Sequence, residues 1–345
     1  MAYRTAILGA SGYTGAELLR LLAAHPEITV VSATANAHAG QRVGDLYPAL
    51  DPAYPKLIFE DLSQMNFEEI DLAFLALPHG ESQNLVPDLV GQVKHITDLA
   101  ADFRLPASLY KEWYGEDHRA SELINDFAYG LPETFRGRLN PEVFVAAPGC
   151  YPTASALALA PLLAHGMIES KGIKIDALSG ISGRGHGLSV ESLYSEANEN
   201  ANAYGLLTHR HTGEIEFSLS HVYGSAVEVL FTPHLVPMTR GILATCHSIP
   251  AVDGLTSQRL LDLYNDYYAN EPFVIVSDNP PSTKSALGSN FAYVTARYDS
   301  RTNSILTLAA IDNLVKGAAG QAIQATNCVL GLPEALGLLG LGLTP

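Results

Sequence analysis

Apolar positions fall into two regimes along the chain. From residue 4 to about 105, short apolar runs alternate with segments whose apolar residues recur every three or four positions. Arg4-Thr5-Ala6-Ile7-Leu8 reads as a strand, residues 16–24 as a helix with Leu18, Leu19, Leu21 and Leu22 on its apolar face, and residues 28–33 as a second strand. Residues 43–70 carry Pro and Asp with little periodicity. An apolar strand resumes at 71–77 and ends in Pro78-His79-Gly80; a helix over 81–90, a strand near 95–97 and a loop over 99–105 follow. This alternation predicts a mostly parallel sheet. Beyond a strand at 142–147 and an Ala/Leu helix behind Cys150 the pattern changes. Strands at 172–178, 226–231, 242–246, 273–276, 291–296 and 305–310 outnumber helices at 188–200, 213–222 and 254–270. That predicts an α+β domain on a mixed or antiparallel sheet, with a last helix over 314–330 returning to the first domain.

The first strand runs directly into Gly9-Ala10-Ser11-Gly12-Tyr13-Thr14-Gly15. Strand, glycine-rich turn, helix and strand within about 30 residues form the Rossmann-type nucleotide-binding unit. Gly9, Ser11, Gly12, Tyr13, Thr14 and Gly15 are the expected cofactor contacts; a tight β-α turn without a ligand is the alternative. An NAD site usually places a carboxylate at the end of the second strand. Here residues 33–42 hold none and offer Thr34 and Arg42 instead, which suits the 2′-phosphate of NADP.

Pro148-Gly149-Cys150-Tyr151-Pro152-Thr153 is the second dense signal. Pro152 suits the first helical position, so Cys150 is expected just ahead of a helix N-terminus. The unpaired amides and positive dipole end there favour a thiolate. Cys150 is the candidate nucleophile; a buried structural cysteine is the alternative.

Composition narrows the reading. The 345 residues suffice for about two domains, and 47% hydrophobic with 16% charged residues is ordinary globular composition. A net charge of −16 argues against nucleic acid or an anionic membrane as partner. The three cysteines, Cys150, Cys246 and Cys328, are too far apart and odd in number for a disulfide framework, as expected in a reducing compartment. No signal peptide is recognised and the apolar 330–343 stretch is interrupted by Pro333, Glu334 and glycines. The cytoplasm is the expected location.

A thiolate nucleophile needs an acid/base partner, and that partner an orienting group. His209-Arg210-His211-Thr212-Gly213-Glu214 supplies both types: a histidine to face Cys150, and Glu214 to orient it. Metal ligation by the two histidines lacks clustered Cys or Asp support, and no metal is expected. Arg184 in a glycine-rich loop over 179–187 and Arg240 in a Pro/Gly-rich loop over 232–241 stand out in so acidic a chain. With Arg104 and Arg210 they are candidates for binding carboxylate and phosphate groups, or for structural ion pairs.

Together these segments resemble the N-acetyl-γ-glutamyl-phosphate reductases, within the aspartate-semialdehyde-dehydrogenase-like superfamily. The resemblance extends through Leu77-Pro78-His79-Gly80, residues 98–105, Tyr129-Gly130-Leu131-Pro132-Glu133, residues 148–153, 209–214 and 237–241, and 312–321. Two positions depart from the family pattern: Gly213 replaces a usual proline, and residues 182–187 differ from the commoner Ser-Gly-Ala-Gly-Arg. The resemblance implies a semialdehyde-dehydrogenase or glyceraldehyde-phosphate-dehydrogenase-like architecture. Residues 1–149 plus 313–345 would form the NADP-binding domain, and 150–312 the catalytic and dimerisation domain. It puts the nucleophile on Cys150, the acid/base on His209 and its orienting carboxylate on Glu214. Ser182, Gly183 and Asn313 join the cofactor set, and Arg104, Arg184 and Arg210 are the expected substrate contacts.

The implied reaction is NADPH-dependent reduction of an acyl phosphate through a thioacyl enzyme, with inorganic phosphate released and His209 shuttling the proton. A homodimer or homotetramer built through the second domain's sheet is implied as well. Rival readings keep the mechanism on aminoadipyl or aspartyl phosphate, or make the chain a non-catalytic NADP-binding regulator. A short-chain dehydrogenase would need a Tyr-x-x-x-Lys pair, which no tyrosine here has.

Overall fold

The computed structural model describes residues 2–343; residues 1, 344 and 345, the outer bounds of the expected domains, lie outside the described residues. The chain forms two compact units, Met1–Pro148 with Ala318–Leu339, and Gly149–Gly317 with Gly340–Pro345.

In the first unit, β1 (Tyr3–Leu8) leads through the glycine turn into α1 (Tyr13–Leu22) and β2 (Ile28–Thr34). The helix begins at Tyr13, three residues before the predicted start, because the extended N-cap Gly12 already accepts from Ala16 N–H through its carbonyl. The 43–70 excursion holds a helical turn at Val43–Leu46, a tighter one at Pro48–Leu50 and the short β3 (Phe59–Glu60). Then come β4 (Leu72–Leu75), α2 (Ser82–Leu89), β5 (His95–Asp98) and α3 (Ala107–Tyr114), the last stopped by Gly115 at φ 77°. α3 has no counterpart among the elements expected from sequence. β6 (Phe127–Tyr129) and β7 (Phe144–Ala146) complete a seven-stranded sheet in the order β3-β2-β1-β4-β5-β7-β6. Every pair in it is parallel. All four residues of β4 are buried, as befits a parallel sheet covered on both faces.

The second unit begins with α4 (Cys150–Ala164), whose residues from Tyr151 to Leu163 are all buried, so it is apolar all round. Around it run β8 (Ile173–Ser179), β9 (Asn202–Ala203), α5 (His211–Tyr223), β10 (Val229–Leu235), β11 (Ile242–Ser248), α6 (Ser257–Tyr267), β12 (Val274–Val276), β13 (Ala292–Asp299) and β14 (Ser304–Ile311). The sheet order is β12-β13-β14-β11-β8-β10-β9. It is mixed: β8 with β10 and β12 with β13 are parallel, the remaining pairs antiparallel. Ile173, Ile175 and Ala177 alternate inward from β8 and pack with Leu157, Leu159, Leu162 and Phe231.

Three sequence expectations shift here. The strand expected at 226–231 lies at 229–235. The helix expected over 188–200 is only a tight turn at Val190–Ser192 and one helical turn at Tyr194–Ala197. Its apolar side chains have no core to cover, with Leu188 99% and Tyr194 80% exposed. The last helix opens as a π-turn over Val315–Ala319 before α7 (Gly320–Val329), where Ala325 and Val329 pack on Val145 in the first unit.

Residues 313–317 belong to the second unit and not, as expected, to the first. Asn313 ties itself there, its Oδ1 accepting from Gly241 N–H at 2.7 Å and its Nδ2 donating to Ser182 Oγ at 3.0 Å. Residues 340–343 join the same unit, where Leu343 N–H donates to Leu287 O at 2.9 Å.

Candidate active site

The glycine turn of the first unit is shaped by contacts that only glycine allows. Gly9 has φ +83°, and a Cβ there would fall 2.5 Å from Ala76 O; one at Gly15 would fall 2.5 Å from Ala10 Cα. The first glycine therefore serves the tight turn and the third the close helix–strand approach. Beside Gly12, by contrast, a Cβ would meet only Gly9 O at 3.8 Å, and no side chain caps the helix. An open, uncapped helix N-terminus after a strand is what binds a phosphate, so the residues present fit a dinucleotide. Thr34 supports the turn through its Oγ1, which accepts from Gly9 N–H at 3.2 Å. Arg42 is ion-paired to Asp51 and lies 3.6 Å from Asp45.

At the carboxyl ends of β4 and β5 a polar cluster lies just where open α/β sheets bind ligands. Asp102, fully buried, accepts from Gly80 and Gln83 N–H at 2.9 and 3.1 Å and lies 2.9 Å from His79 Nδ1. Asp98 accepts from Ser82 Oγ at 2.7 Å and Ala100 N–H at 3.0 Å. Burial, then the charge of Asp102, pushes the Asp98 carboxyl up to about 7. Arg104 is buried in the same loop and donates from Nη2 to Leu99 O at 2.8 Å.

In the second unit Cys150 occupies the first position of α4, behind Gly149 in extended conformation. Pro152 therefore stands third in the helix, not first, still within the turn whose amides lack intrahelical partners. Those amides and the dipole favour negative charge at Cys150. Glu214, 1% exposed, sends Oε1 to Gly149 N–H at 2.7 Å. The carboxylate expected to orient His209 thus grips the backbone turn that presents Cys150.

His209 reaches the site from a tight turn. Its N–H donates to Gly205 O at 2.9 Å, and the turn uses φ +55° at Gly205 and +61° at the exposed Leu207. The imidazole stands edge-on to Tyr151, the residue after Cys150, and to Tyr204. Tyr204 OH donates to Tyr151 OH at 3.1 Å, a hydroxyl pair no sequence signal marked. His209 Nδ1 accepts from His211 N–H at 3.1 Å. Because that donor is a backbone amide, the neutral ring carries its proton on Nε2. Burial, then the Arg210 guanidinium, pushes His209 down to about 4, so it is neutral at pH 7.

Arg184 has its guanidinium carbon 5.9 Å from the Tyr204 ring centroid and its Nη2 3.6 Å from Glu191, while Arg210 stands at the N-cap position of α5 and is exposed. A Cβ on Gly183 would come 2.9 Å from Ser179 Oγ, and Ser182 accepts from Asn313. The second unit thus assembles Cys150, Glu214, His209, Arg184, Arg210, Ser182, Gly183 and Asn313, while Arg104, Thr34, Arg42 and the glycine turn belong to the first.

Residues 4–141 match the NAD binding domain of semialdehyde dehydrogenases and residues 150–313 their dimerisation domain. N-acetyl-gamma-glutamyl-phosphate reductase of Symbiobacterium thermophilum is 47% identical, with 99% of each chain aligned, and that of Pelobacter propionicus is 46% identical over the same shares. The chain belongs to the N-acetyl-γ-glutamyl-phosphate reductase family. The fold of this family member is shared with solved aspartate semialdehyde dehydrogenases. The Vibrio cholerae enzyme II complexed with ASA aligns at TM-score 0.72 and 14% identity, covering 96% of this chain and 99% of that one. The Candida albicans enzyme with NADP aligns at 0.68 and 16%, covering 95% and 98%.

Proposed function

We propose that this reductase-family chain catalyses NADPH-dependent reduction of N-acetyl-γ-glutamyl phosphate to N-acetylglutamate 5-semialdehyde and phosphate, a step of arginine biosynthesis. The observation that carries it is Cys150 at the first position of an uncapped helix, its turn held by the Glu214 carboxylate, in a chain 47% identical to a reductase of that name.

Cys150 Sγ attacks the acyl carbon; the C–S bond forms, the bond to the phosphate oxygen breaks, and phosphate leaves with its electron pair. The acyl group is left as a thioester on Cys150. The glycine turn over residues 9–15 would hold NADPH, and that cofactor would supply the hydride needed to reduce the thioester to a thiohemiacetal. Collapse of that species expels the aldehyde and returns the thiolate, dividing one hard step into two easier ones. His209, neutral and protonated on Nε2, donates to the oxygen that gathers negative charge in the tetrahedral species. With Nδ1 committed to His211 N–H, this donor role suits the ring better than taking the thiol proton. Arg184 and Arg210 supply positive charge for the carboxylate and phosphate of the substrate.

The preference for NADPH over NADH rests on the end of β2, where Asn36 is exposed and no carboxylate precedes Arg42. The outer face of the second sheet supports a homodimer. There Leu178 pairs with Leu243 and Thr245 with Leu308, and Leu230 is 48% exposed. A cytoplasmic location suits a nucleophile that must stay a thiol, and none of the three cysteines forms a disulfide among the described residues. Among the described residues no helix is long and apolar enough to cross a membrane.

The test is the reverse reaction. NADP reduction is followed with phosphate and N-acetylglutamate semialdehyde, aspartate semialdehyde or the aminoadipate homologue. Preference for the first, abolished by alkylating Cys150, is the expected result. Preference for another semialdehyde would transfer the enzyme to a different acyl phosphate, and silence with all three would overturn the enzymatic reading.

A further inference from the structure

A π-turn is rare, and it closes each hydrogen bond one residue later than an α-turn, which bulges the backbone sideways. The one here, Val315–Ala319, bulges onto the nucleophile. A Cβ placed on Gly317 would fall 2.8 Å from Cys150 Cβ and 3.2 Å from Cys150 Cα. Gly317 has no left-handed φ. Glycine is therefore required by space alone: the bare Cα forms the wall against which Cys150 rests.

The turn is built to keep that wall still. Asp312 is fully buried, and its Oδ1 accepts from Leu314 and Val315 N–H at 2.8 and 3.1 Å. Its Oδ2 accepts from Gly288 N–H at 2.7 Å and lies 3.5 Å from Arg240 Nη1. Its carbonyl accepts from Gly317 N–H at 2.9 Å, the five-residue bond that makes the π-turn. One residue further on, Asn313 clamps Gly241 and Ser182. From within the turn the fully buried Lys316 lays its ammonium 5.7 Å from the Phe273 ring centroid, a cation–π distance.

We propose that Asp312 and Gly317 are positioning residues for the nucleophile: Asp312 locks the π-turn, and the turn, through Gly317, holds Cys150 in its reactive place. The proposal rests on Cys150 being the nucleophile. Neither residue touches substrate in this account; both act through where the sulfur sits. A misplacement on the order of 1 Å at a reacting atom costs about 100-fold in rate, so a single methyl group on Gly317 has leverage.

The experiment uses Gly317→Ala in the full-length protein. Iodoacetamide modification of Cys150 is followed by peptide mass mapping across pH, beside kcat, KM and the thermal melt. The expected result is a cooperative melt, a displaced pH profile for alkylation, and a kcat lowered about tenfold or more with KM for NADP little changed. An alkylation profile and kcat both equal to wild type would overturn the proposal. Should Gly317→Ala fail to fold, Asp312→Asn carries the test. It keeps the side chain's shape but loses the charge that grips four donors, and is expected to displace the alkylation profile in the same sense. A profile unchanged in Asp312→Asn overturns the proposal equally. Alkylation needs no substrate, so a wild type inactive on every semialdehyde would count against the proposed function without altering this readout.

Discussion

Glu214 offers the sharpest test of how the Cys150 turn is held. Its buried carboxylate accepts from Gly149 N–H at 2.7 Å, immediately before Cys150. A hydrogen bond to a charged group contributes roughly 1.5–3 kcal/mol, and a buried donor left unpaired costs a similar amount. Glu214→Ala is therefore expected to lose about 2 kcal/mol. For a unit of this size that corresponds to a fall of roughly 4–8 °C in Tm. Glu214→Gln retains an oxygen of the same reach and is expected to lose about half as much. In turnover, the loosened Cys150 turn lowers kcat by about tenfold to 100-fold, with Gln largely rescuing Ala. The anchoring role separates from a histidine-orienting role in a double-mutant cycle with His209→Ala. If Glu214 acts through Gly149, its loss still slows alkylation of Cys150 when His209 is absent. An effect that vanishes in the His209→Ala background, or a Glu214→Ala melt equal to wild type, would refute the reasoning.

Three further outcomes are expected. Cys150→Ser abolishes turnover while NADPH affinity, read by fluorescence titration, stays near wild type; lost binding would contradict a nucleotide site built by the first unit. His209 is lowered to about 4 from its ordinary 6.5, so the unfolded chain takes up its proton first as pH falls. Stability thus declines between about pH 6.5 and 4, and the acid limb of kcat/KM assigned to His209 by His209→Ala lies near 4; a limb centred at 6.5 would refute its burial. Asp98 is the opposite case, raised from 3.8 to about 7, so the folded chain keeps a proton that the unfolded chain releases. Stability therefore falls as pH rises from about 4 to 7, and Asp98→Asn, mimicking the protonated acid, is expected to gain on the order of 2–4 kcal/mol at pH 8 in urea denaturation; a variant less stable than wild type at pH 8 would oppose this.

Much of the site was legible from the chain because its signals are local. The β-α-β unit follows from the spacing of Gly9, Gly12 and Gly15, and the backbone contacts at Gly9 and Gly15 are those the motif demands. Cys150 at a helix start followed from its glycine, proline and Ala/Leu neighbours, although Pro152 sits two positions later than expected. Local periodicity also misled. Leu188, Val190, Leu193 and Tyr194 mimic a helical stripe over 188–200, yet a stripe becomes a helix only where a core receives it, and here they are exposed.

What the sequence by itself determined is the alternation of elements, the nucleotide turn, and the residue types able to do thiol chemistry. These depend on sterics, dipoles and periodicities that act over a few residues. Only the tertiary structure decided what each polar group does. It sent Glu214 to an amide 65 residues away, turned His209 into an Nε2 donor, engaged Arg42 with Asp51, and laid Gly317 against Cys150. Those pairings are set by strand order and helix packing, where a buried donor takes whichever acceptor the fold brings within about 3 Å, and no short stretch of chain encodes which one that is.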